Sequence, residues 1–432
     1  MSTIAAQSIP GPPCTVTKEN YRGWRAIRLA NGILELFVVP EIGGRVIQLR
    51  VGDLDLFYVN HRHEGRVYRP EENDLDSGWK NYGGSKVWPA PQGWASDAEW
   101  PGPPDPVLDG GVYSCEIVQE RGETAAVRLE SSPDQYTGLT FVRVIRIFRD
   151  AARVEVRHTM RNTSARRVRW AVWQVTQQAA TSDVSIFVPA RTYRQLFGDR
   201  AYGEISFSAN GLCRLRYRDQ VAKFAMKPER GWLATLDTGR GFSLVETFPL
   251  FRASAYPDDS PVEFWVNGRG SVTIHNDKTH MEHDPNGCDP YIETEVLSPL
   301  IELEPGEEYG FPTCWCGVSI QTDSVDAVTY CAAIGRRLMA ERQGKEVWVT
   351  GSFGLWQVGL LEAVSVLANG KVRDVHILGP VTPLAACHVC CSLPWEQRLS
   401  RVSLRLRDKH GNLLGTVDEA VISQECCPKG AA

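Results

Sequence analysis

Residues 31–60 read NGILELFVVPEIGGRVIQLRVGDLDLFYVN and set a pattern that much of the chain repeats. Short apolar or alternating runs are separated by turn signals at Asn31-Gly32, at residues 40–44 and at Gly52-Asp53. Runs bounded in this way are typical of strands in an antiparallel meander. Comparable runs continue to about residue 320, so we predict an all-β fold, a large antiparallel sandwich or barrel.

The next stretch outward, residues 81–113, reads NYGGSKVWPAPQGWASDAEWPGPPDPVLDGGVY. Because proline and glycine disfavour helices and central strands, we predict an ordered loop here. Indole rings stack on the C–H faces of sugars, while amide and ammonium groups bind hydroxyls. Asn81, Lys86, Trp88 and Gln92 are therefore candidate sugar-binding residues. The alternative is a proline-rich cap whose tryptophans fill its underside.

Composition narrows the class of partner. The 432 residues carry a net charge of −5 with both signs scattered, so we expect neither nucleic acid nor a membrane surface as a partner, but a small molecule. The first residues lack the features of a signal peptide, which predicts a cytoplasmic protein with mostly free thiols among its 12 cysteines. Cys387, Cys390 and Cys391 surround His388, but this single cluster fits strand positions better than a zinc site.

A change of pattern after residue 322 predicts the domain organisation. Ser324 to Asp326 precede AVTYCAAIGRRLMAERQ, in which Val328, Cys331, Ile334 and Leu338 have helical spacing. We predict a flexible tail (1–19), a main domain (20–322), a linking helix (323–343), a small immunoglobulin-sized β-sandwich (344–423) and a second tail (424–432). The small sandwich is expected to brace the main domain or to join copies of the chain into a homo-oligomer.

Several segments carry a family resemblance. Residues 31–60 resemble the first strands of galactose mutarotase-like proteins, in which a Gly-Gly-Arg turn brings an arginine, here Arg45, towards the sugar. Residues 81–113 resemble a bacterial branch of that superfamily, the domain of unknown function DUF4380. AYPDDSPVEFWVNG (255–268) and YIETEVLSPLIELEPGEEY (291–309) agree with it. The resemblance implies a mutarotase-like β-supersandwich over residues 20–320 and an aldose epimerase-like isomerase that binds carbohydrate.

Mutarotation needs a base at O1 and an acid at O5 of the sugar. The resemblance implies a glutamate base, which matches Glu295, with Glu293 as partner or substitute. Because strand side chains alternate, these two point to the same face. Asp258, Glu263 and Trp265 are further candidates for lining the same cleft.

The family's acid is a histidine, and the matching residues 161–178 contain none. Trp173, Gln174 and Gln177 stand there instead, and we expect them to bind the substrate. A replacement acid is sought in His280 and His283. No cofactor is otherwise predicted, although one divalent metal could be held by the histidines and carboxylates of this loop, which are His275, His280, His283, Asp284 and Asp289.

Three functions stay open at this point. The first is an enzyme acting at or near the anomeric carbon of a sugar. The second is a sugar-binding or sensing protein without turnover. The third is a lyase or hydrolase on a uronate or glycosidic substrate, in which Arg45 and Lys86 would pair with a uronate carboxylate.

Overall fold

The computed structural model describes residues 11–72, 78–93, 98–198, 200–274, 279–283 and 290–424. Within these ranges the only helices are 3-10 turns at His61–His63, Pro70–Glu72 and Pro257–Asp259, and everything else regular is strand. The all-β prediction is confirmed. None of the helices in this part of the chain is long and apolar enough to cross a membrane.

The strands are labelled in chain order. They are β1 (Cys14–Tyr21), β2 (Trp24–Ala30), β3 (Leu34–Val39), β4 (Arg45–Val51), β5 (Leu54–Asp55), β6 (Ser85–Ala90), β7 (Ser114–Gln119), β8 (Arg121–Gly122), β9 (Thr124–Glu130), β10 (Leu139–Phe148), β11 (Arg153–Asn162), β12 (Val168–Ala179), β13 (Val184–Val188), β14 (Tyr193–Phe197), β15 (Ile205–Phe207), β16 (Cys213–Arg216), β17 (Ala222–Met226), β18 (Trp232–Asp237), β19 (Phe242–Thr247), β20 (Val262–Val266), β21 (Gly270–Ile274), β22 (Thr279–His283), β23 (Tyr291–Leu297), β24 (Ile301–Leu303), β25 (Glu308–Ser319), β26 (Ala327–Val328), β27 (Ala332–Gln343), β28 (Glu346–Leu355), β29 (Gly359–Leu367), β30 (Val372–Val381), β31 (Cys387–Pro394), β32 (Leu399–Arg407) and β33 (Leu413–Gln424).

Two large antiparallel sheets share one apolar core. The first sheet has the strand order β14-β17-β20-β23-β12-β6-β4-β3-β2-β1-β8, with β24 beside β12 and β5 beside β4. The second has the order β15-β16-β13-β18-β19-β25-β11-β10-β9-β7. Buried residues of both sheets, such as Val296 and Phe264 of the first and Ile145 and Trp315 of the second, belong to the same core. One face of the first sheet therefore packs against the second sheet, and its other face can carry a functional site.

Strand β6 corrects the prediction of a loop at residues 81–113. It lies inside the first sheet between β12 and β4, although it contains Pro89. Pro89 stands opposite Val172, whose backbone N–H and C=O are instead bonded to the side chain and the backbone N–H of Ser298. Val172 therefore needs no backbone N–H donor from Pro89, and strand β6 continues through the proline.

The C-terminal strands form a separate eight-stranded sheet in the order β30-β29-β32-β33-β27-β28-β31, with β26 beside β27. It has a core of its own that includes Leu338, Phe353 and Leu404. The predicted linking helix (323–343) is wrong, because residues 332–343 form β27 between β28 and β33. The sheet thus begins before residue 344, where the small sandwich was expected to start.

The predicted N-terminal tail is also too long. β1 begins at Cys14 and pairs with β2 along its length, so residues 14–19 belong to the first sheet. Residues 1–10 and 425–432, which cover most of the two predicted tails, lie outside the described residues.

Candidate functional site

Neighbouring strands of the first sheet bring charged side chains to the face turned away from the second sheet. In the strand register Lys86 of β6 stands opposite Val175, Val175 opposite Glu295 of β23, and Glu295 opposite Glu263 of β20. Since side chains alternate along a strand, this row projects from the same face as the row two residues away along each strand. We call the resulting group the carboxylate–lysine cluster; its members are Lys86, Gln177, Lys223, Glu263, Glu293 and Glu295.

Lys223 of β17 bridges two of the carboxylates. Its Nζ lies 2.7 Å from Glu295 Oε2 and 2.9 Å from Glu263 Oε2. The indole Nε1 of Trp173 donates a second hydrogen bond to Glu295 Oε2 at 2.8 Å. The ammonium also lies 4.7 Å from the Trp173 ring centroid, a cation–π contact. One lysine therefore holds two glutamates side by side.

Lys86 holds the third carboxylate. Its Nζ lies 3.1 Å from Glu293 Oε1, which also accepts a hydrogen bond from Gln177 Nε2 at 2.6 Å. The same ammonium stands 4.4 Å from the Trp88 ring centroid and 4.9 Å from that of Trp79. Glu293 and Glu295 thus share a face, as the alternation predicts, but each has its own lysine.

Burial dominates the electrostatics of the cluster. Glu295 is completely buried and Glu263 is 2% exposed. Burial raises the pKa of Glu263 to about 8, opposed by the charge of Lys223 and reinforced by those of Glu295 and Asp258. Burial also raises the pKa of Glu295, again against the effect of Lys223. Although burial lowers the pKa of Lys223, the two carboxylates raise it above its ordinary value.

Three buried polar atoms of this cluster have no hydrogen-bond partner among the described residues. They are Gln177 Oε1, Glu263 Oε1 and Glu295 Oε1. Leaving a buried acceptor unpaired is unfavourable by about 1–3 kcal/mol, so such atoms in a folded protein call for an explanation. Their grouping on one sheet face is what a hydroxyl-rich ligand would satisfy.

Arg45 supports the wall of tryptophans beside the cluster. Its guanidinium is fully buried and pairs with Asp109 at 2.7 Å, and it also donates to the backbone of Ile42 and Gly83. Asp109 in turn accepts from Trp88 Nε1 at 3.1 Å and Trp79 Nε1 at 2.8 Å. The structure therefore gives Arg45 a place behind the tryptophans rather than among the cluster's carboxylates.

The tryptophan rings themselves are closely packed. Trp88 is 3% exposed, and its ring centroid lies 5.3 Å from those of both Trp100 and Trp173. Asn81 is also buried, and its side chain accepts from the backbone N–H of Gly83. Trp88 thus packs on β6 and Asn81 in the turn before it, both buried beside the cluster.

A cleft of about 470 Å³ lies outside the cluster, and none of the cluster's six residues lines it. Gln92, Arg169, Trp170, Tyr256 and Asp258 are among its lining residues. The charge of Asp258, which lines the cleft, raises the pKa of Glu263 in the cluster. The structure thus brings the predicted residues Gln92 and Asp258 together. Trp265, half-buried on β20, stands opposite Glu293.

Gln174 lies elsewhere, because it alternates with Trp173 and faces the interior between the two large sheets. Its Nε2 donates to Glu246 Oε2 at 3.0 Å, and its Oε1 lies 2.8 Å from His158 Nε2. Trp315 also donates to Glu246. The prediction that Gln174 shares a site with Trp173 and Gln177 is therefore not met.

The predicted histidine loop lies largely outside the described residues, and the thiol cluster lies on β31 of the C-terminal sheet. His275, Asp284 and Asp289 lie outside the described residues; His280 and His283 lie on β22, with side chains outside the described part. Among the described residues, no group of three or more His, Cys, Asp or Glu side chains could hold a metal ion. The thiols of Cys387, Cys390 and Cys391 are free on β31.

Sequence reasoning missed Lys223 and Asp109, which hold the carboxylates and the tryptophans in place. Lys223 is the single charge in the otherwise apolar strand β17, AKFAM. A lysine in a buried run implies a buried carboxylate partner, and this was the available signal. Asp109 lies in a turn-rich segment where an aspartate carries no such signal.

The chain belongs to the DUF4380 family, a domain of unknown function whose sequence profile matches residues 25–316. This confirms the branch that the resemblance implied. A curated relative, o-succinylbenzoate synthase from Thermosynechococcus vestitus, is 24% identical over 158 residues, which cover 36% of this chain and 45% of that protein. The chain thus spans less than half the length of this relative.

Solved structures with a similar trace include a galactose mutarotase-like protein from Clostridium acetobutylicum, with 12% identity and a TM-score of 0.41 over 71% of this chain and 99% of that one. A TPR-domain containing protein from Parabacteroides distasonis has 16% identity and a TM-score of 0.48, over 70% of this chain and 47% of that one. Neither likeness carries information about activity.

Proposed function

We propose that this protein is an aldose epimerase-like enzyme that exchanges protons at the anomeric centre of a sugar, with Glu295 as the base. The observation that carries the proposal is the buried Glu295 carboxylate, fixed by Lys223 and Trp173 through one oxygen while its Oε1 has no partner. A base needs one oxygen anchored and one oxygen available for the proton. The sequence resemblance to galactose mutarotase-like proteins points to the same residue.

The cleft lined by Gln92 and Asp258 provides the entrance in this proposal. Its volume of about 470 Å³ falls in the range of small-molecule sites. A sugar entering there meets Trp170 and Tyr256 as apolar surfaces and the two polar side chains as hydrogen-bonding groups. Its anomeric end then points towards Glu263 and Glu295.

The experiment is an anomer-exchange assay by NMR on a panel of neutral aldoses. Glu295→Gln removes the proton acceptor but keeps the shape, so we expect kcat to fall by about 10²- to 10⁴-fold. Sugar binding, read as a thermal shift at saturating ligand, should persist. Glu302→Gln is the matched control, because Glu302 lies in the same sheet but is largely exposed.

Sugar binding by the unaltered protein without exchange of any tested aldose would refute the enzyme and favour the sugar-binding alternative. The ion pairs of Lys86 and Lys223 with the cluster's glutamates agree with a sugar-binding role. Stabilisation only by uronates, with cleavage of the substrate, would favour the lyase or hydrolase alternative instead. Absence of both binding and exchange would refute a carbohydrate site on this face.

A further inference from the structure

We propose that Glu263 and Glu295 form one proton-transfer pair, in which Glu263 supplies the acid that the family's histidine would supply, and that the pair acts on neutral sugars with a free anomeric hydroxyl. This inference rests on the proposed function and adds the second proton carrier and the substrate class. It moves the acid from the histidines at 280 and 283 to a residue that the sequence assigned only to binding.

The pair is defined by its geometry. Glu263 and Glu295 stand directly opposite each other on β20 and β23, where the side chains of opposed residues are close neighbours. Each gives one oxygen, Oε2, to the single ammonium of Lys223, at 2.9 and 2.7 Å. Each leaves Oε1 buried and unpartnered. Two adjacent carboxylates cannot both ionise easily in a buried site, so the pair retains one proton.

The surrounding charges place that proton on Glu263. Glu295 receives two donors, Lys223 and Trp173, which stabilise its ionised form, whereas Glu263 receives Lys223 alone. The charges that raise the pKa of Glu263 are those of Glu295 and Asp258.

The more distant charged groups, Glu293 and Lys86, form an ion pair with each other. On β23, Glu293 is a further carboxylate that raises the pKa of Glu295, and on β6 Lys86 is paired with it. Burial, the largest cause, raises the pKa of Glu263 to about 8, so the acid is protonated at neutral pH.

The chemistry balances with these two groups. As the ring opens, Glu295 takes the proton from O1–H, the C1–O1 bond becomes a carbonyl, the C1–O5 bond breaks, and Glu263 gives its proton to O5. After rotation about C1–C2, O5 attacks the opposite face of the carbonyl. Glu263 then recovers its proton from O5 while Glu295 returns a proton to O1. No oxidant, reductant or further reactant enters, and the pair ends as it began.

The charges of the site point to a neutral substrate. Each lysine of the cluster is held by a carboxylate: Lys223 by Glu263 and Glu295, and Lys86 by Glu293. With Glu263 protonated, two ammonium groups and two carboxylates leave the cluster neutral. A carboxylate substituent of the substrate that came among these groups would have to displace one of these pairs and approach an ionised glutamate, which is unfavourable in a buried site.

The test compares Glu263→Gln with the unaltered protein and with Glu246→Gln, a matched control in which an equally buried glutamate is changed on β19 of the second sheet, where it contacts Gln174 rather than the cluster. Anomer exchange is followed by NMR against pH for glucose and galactose and for glucuronate and galacturonate. We expect the rate of the unaltered protein to fall above about pH 8, where Glu263 loses its proton. Glu263→Gln should lose about 10²- to 10⁴-fold in kcat together with this alkaline limb. Glu246→Gln should keep both, and the uronates should exchange more slowly than the neutral sugars.

If Glu263→Gln does not fold, a second measurement tests the pair without that variant. In the Glu246→Gln background, an infrared carboxylic-acid absorption present at pH 7 should disappear as the pH rises through the Glu263 pKa of about 8, and its absence at pH 7 would overturn the pair. Unchanged kcat and an intact alkaline limb in Glu263→Gln would overturn the pair while leaving Glu295 and the proposed function in place. Faster exchange of the uronates would overturn the substrate class. An unaltered protein that exchanges no sugar overturns the proposed function and this inference together.

Discussion

Replacing Glu246 by glutamine should remove a pH dependence of folding stability that this single buried carboxyl creates. Burial raises the pKa of Glu246 from its ordinary 4.5 to about 7 in the folded protein, opposed by hydrogen bonds from Thr294, Trp315 and Gln174. Between these two values the folded state binds more protons than the unfolded state. Stability therefore falls as the pH rises from 4.5 to 7 and stays level above it.

The magnitude follows from the size of the shift. At about 1.4 kcal/mol for each pH unit, the difference in the pKa of Glu246 between the folded and unfolded states lowers the free energy of unfolding by about 1 kcal/mol at pH 5 and about 3 kcal/mol at pH 8. Glutamine is neutral at every pH, can accept from Gln174 and Trp315, and can donate to Thr294. We therefore expect Glu246→Gln to match the unaltered protein near pH 4.5 and to exceed its stability by about 3 kcal/mol at pH 8.

The assay is urea unfolding at pH 5, 6, 7 and 8, compared between Glu246→Gln, the exposed control Glu302→Gln and the unaltered protein. Taking the difference at each pH removes the contributions of Glu263 and Glu295, which are common to all three proteins. A difference that does not grow between pH 5 and pH 7 would refute the reasoning, because it would mean that Glu246 is ionised in the folded state at low pH. A destabilised variant at pH 8 would refute it as well.

Two further predictions concern groups outside the cluster. Asp109→Asn should lower the free energy of unfolding by about 3–5 kcal/mol, because it leaves the buried charge of Arg45 without its partner; urea unfolding would measure this, and adding Arg45→Met should recover part of it, whereas an unchanged midpoint would contradict the structure. Among the cysteines of the described residues, thiol labelling of the native protein should begin at the exposed Cys390, while Cys213, whose pKa burial raises to about 12, should react only after unfolding; peptide mapping that finds Cys213 labelled no later than Cys390 would contradict this.

The sequence predicts the strand-rich fold well but fails where tertiary contacts override local preference. Residues 332–343 have helical spacing and good helix formers, yet strands β28 and β33 pair with both edges of this segment. Leu338 and Ala340 are buried while Met339 and Glu341 are exposed, an alternation of period two that a short window also contains. Such a segment follows the neighbours that bury it.

For the site, alternation and the cost of buried charge located the carboxylates but not their partners. Glu293 and Glu295 could be placed on one face because they are two residues apart on a strand. That Arg45 turns to Asp109, and that Lys223 joins Glu263 to Glu295, depends on contacts between residues far apart in the chain. The spacing of residues in the sequence does not predict such contacts, because they depend on the order of the strands in the sheet.

The buried glutamates on the two sides of the first sheet have different surroundings, and this difference is the physical basis for assigning chemistry to one side. Between the two large sheets, Glu246 of β19 accepts hydrogen bonds from Gln174, Trp315 and Thr294, which favour its ionised form, but burial outweighs them and raises its pKa to about 7. On the outer face, Lys223 keeps one carboxylate ionised beside a second one that holds a proton. Only the outer arrangement offers a proton donor and a proton acceptor at the same place, and only there do both groups keep an oxygen without a partner.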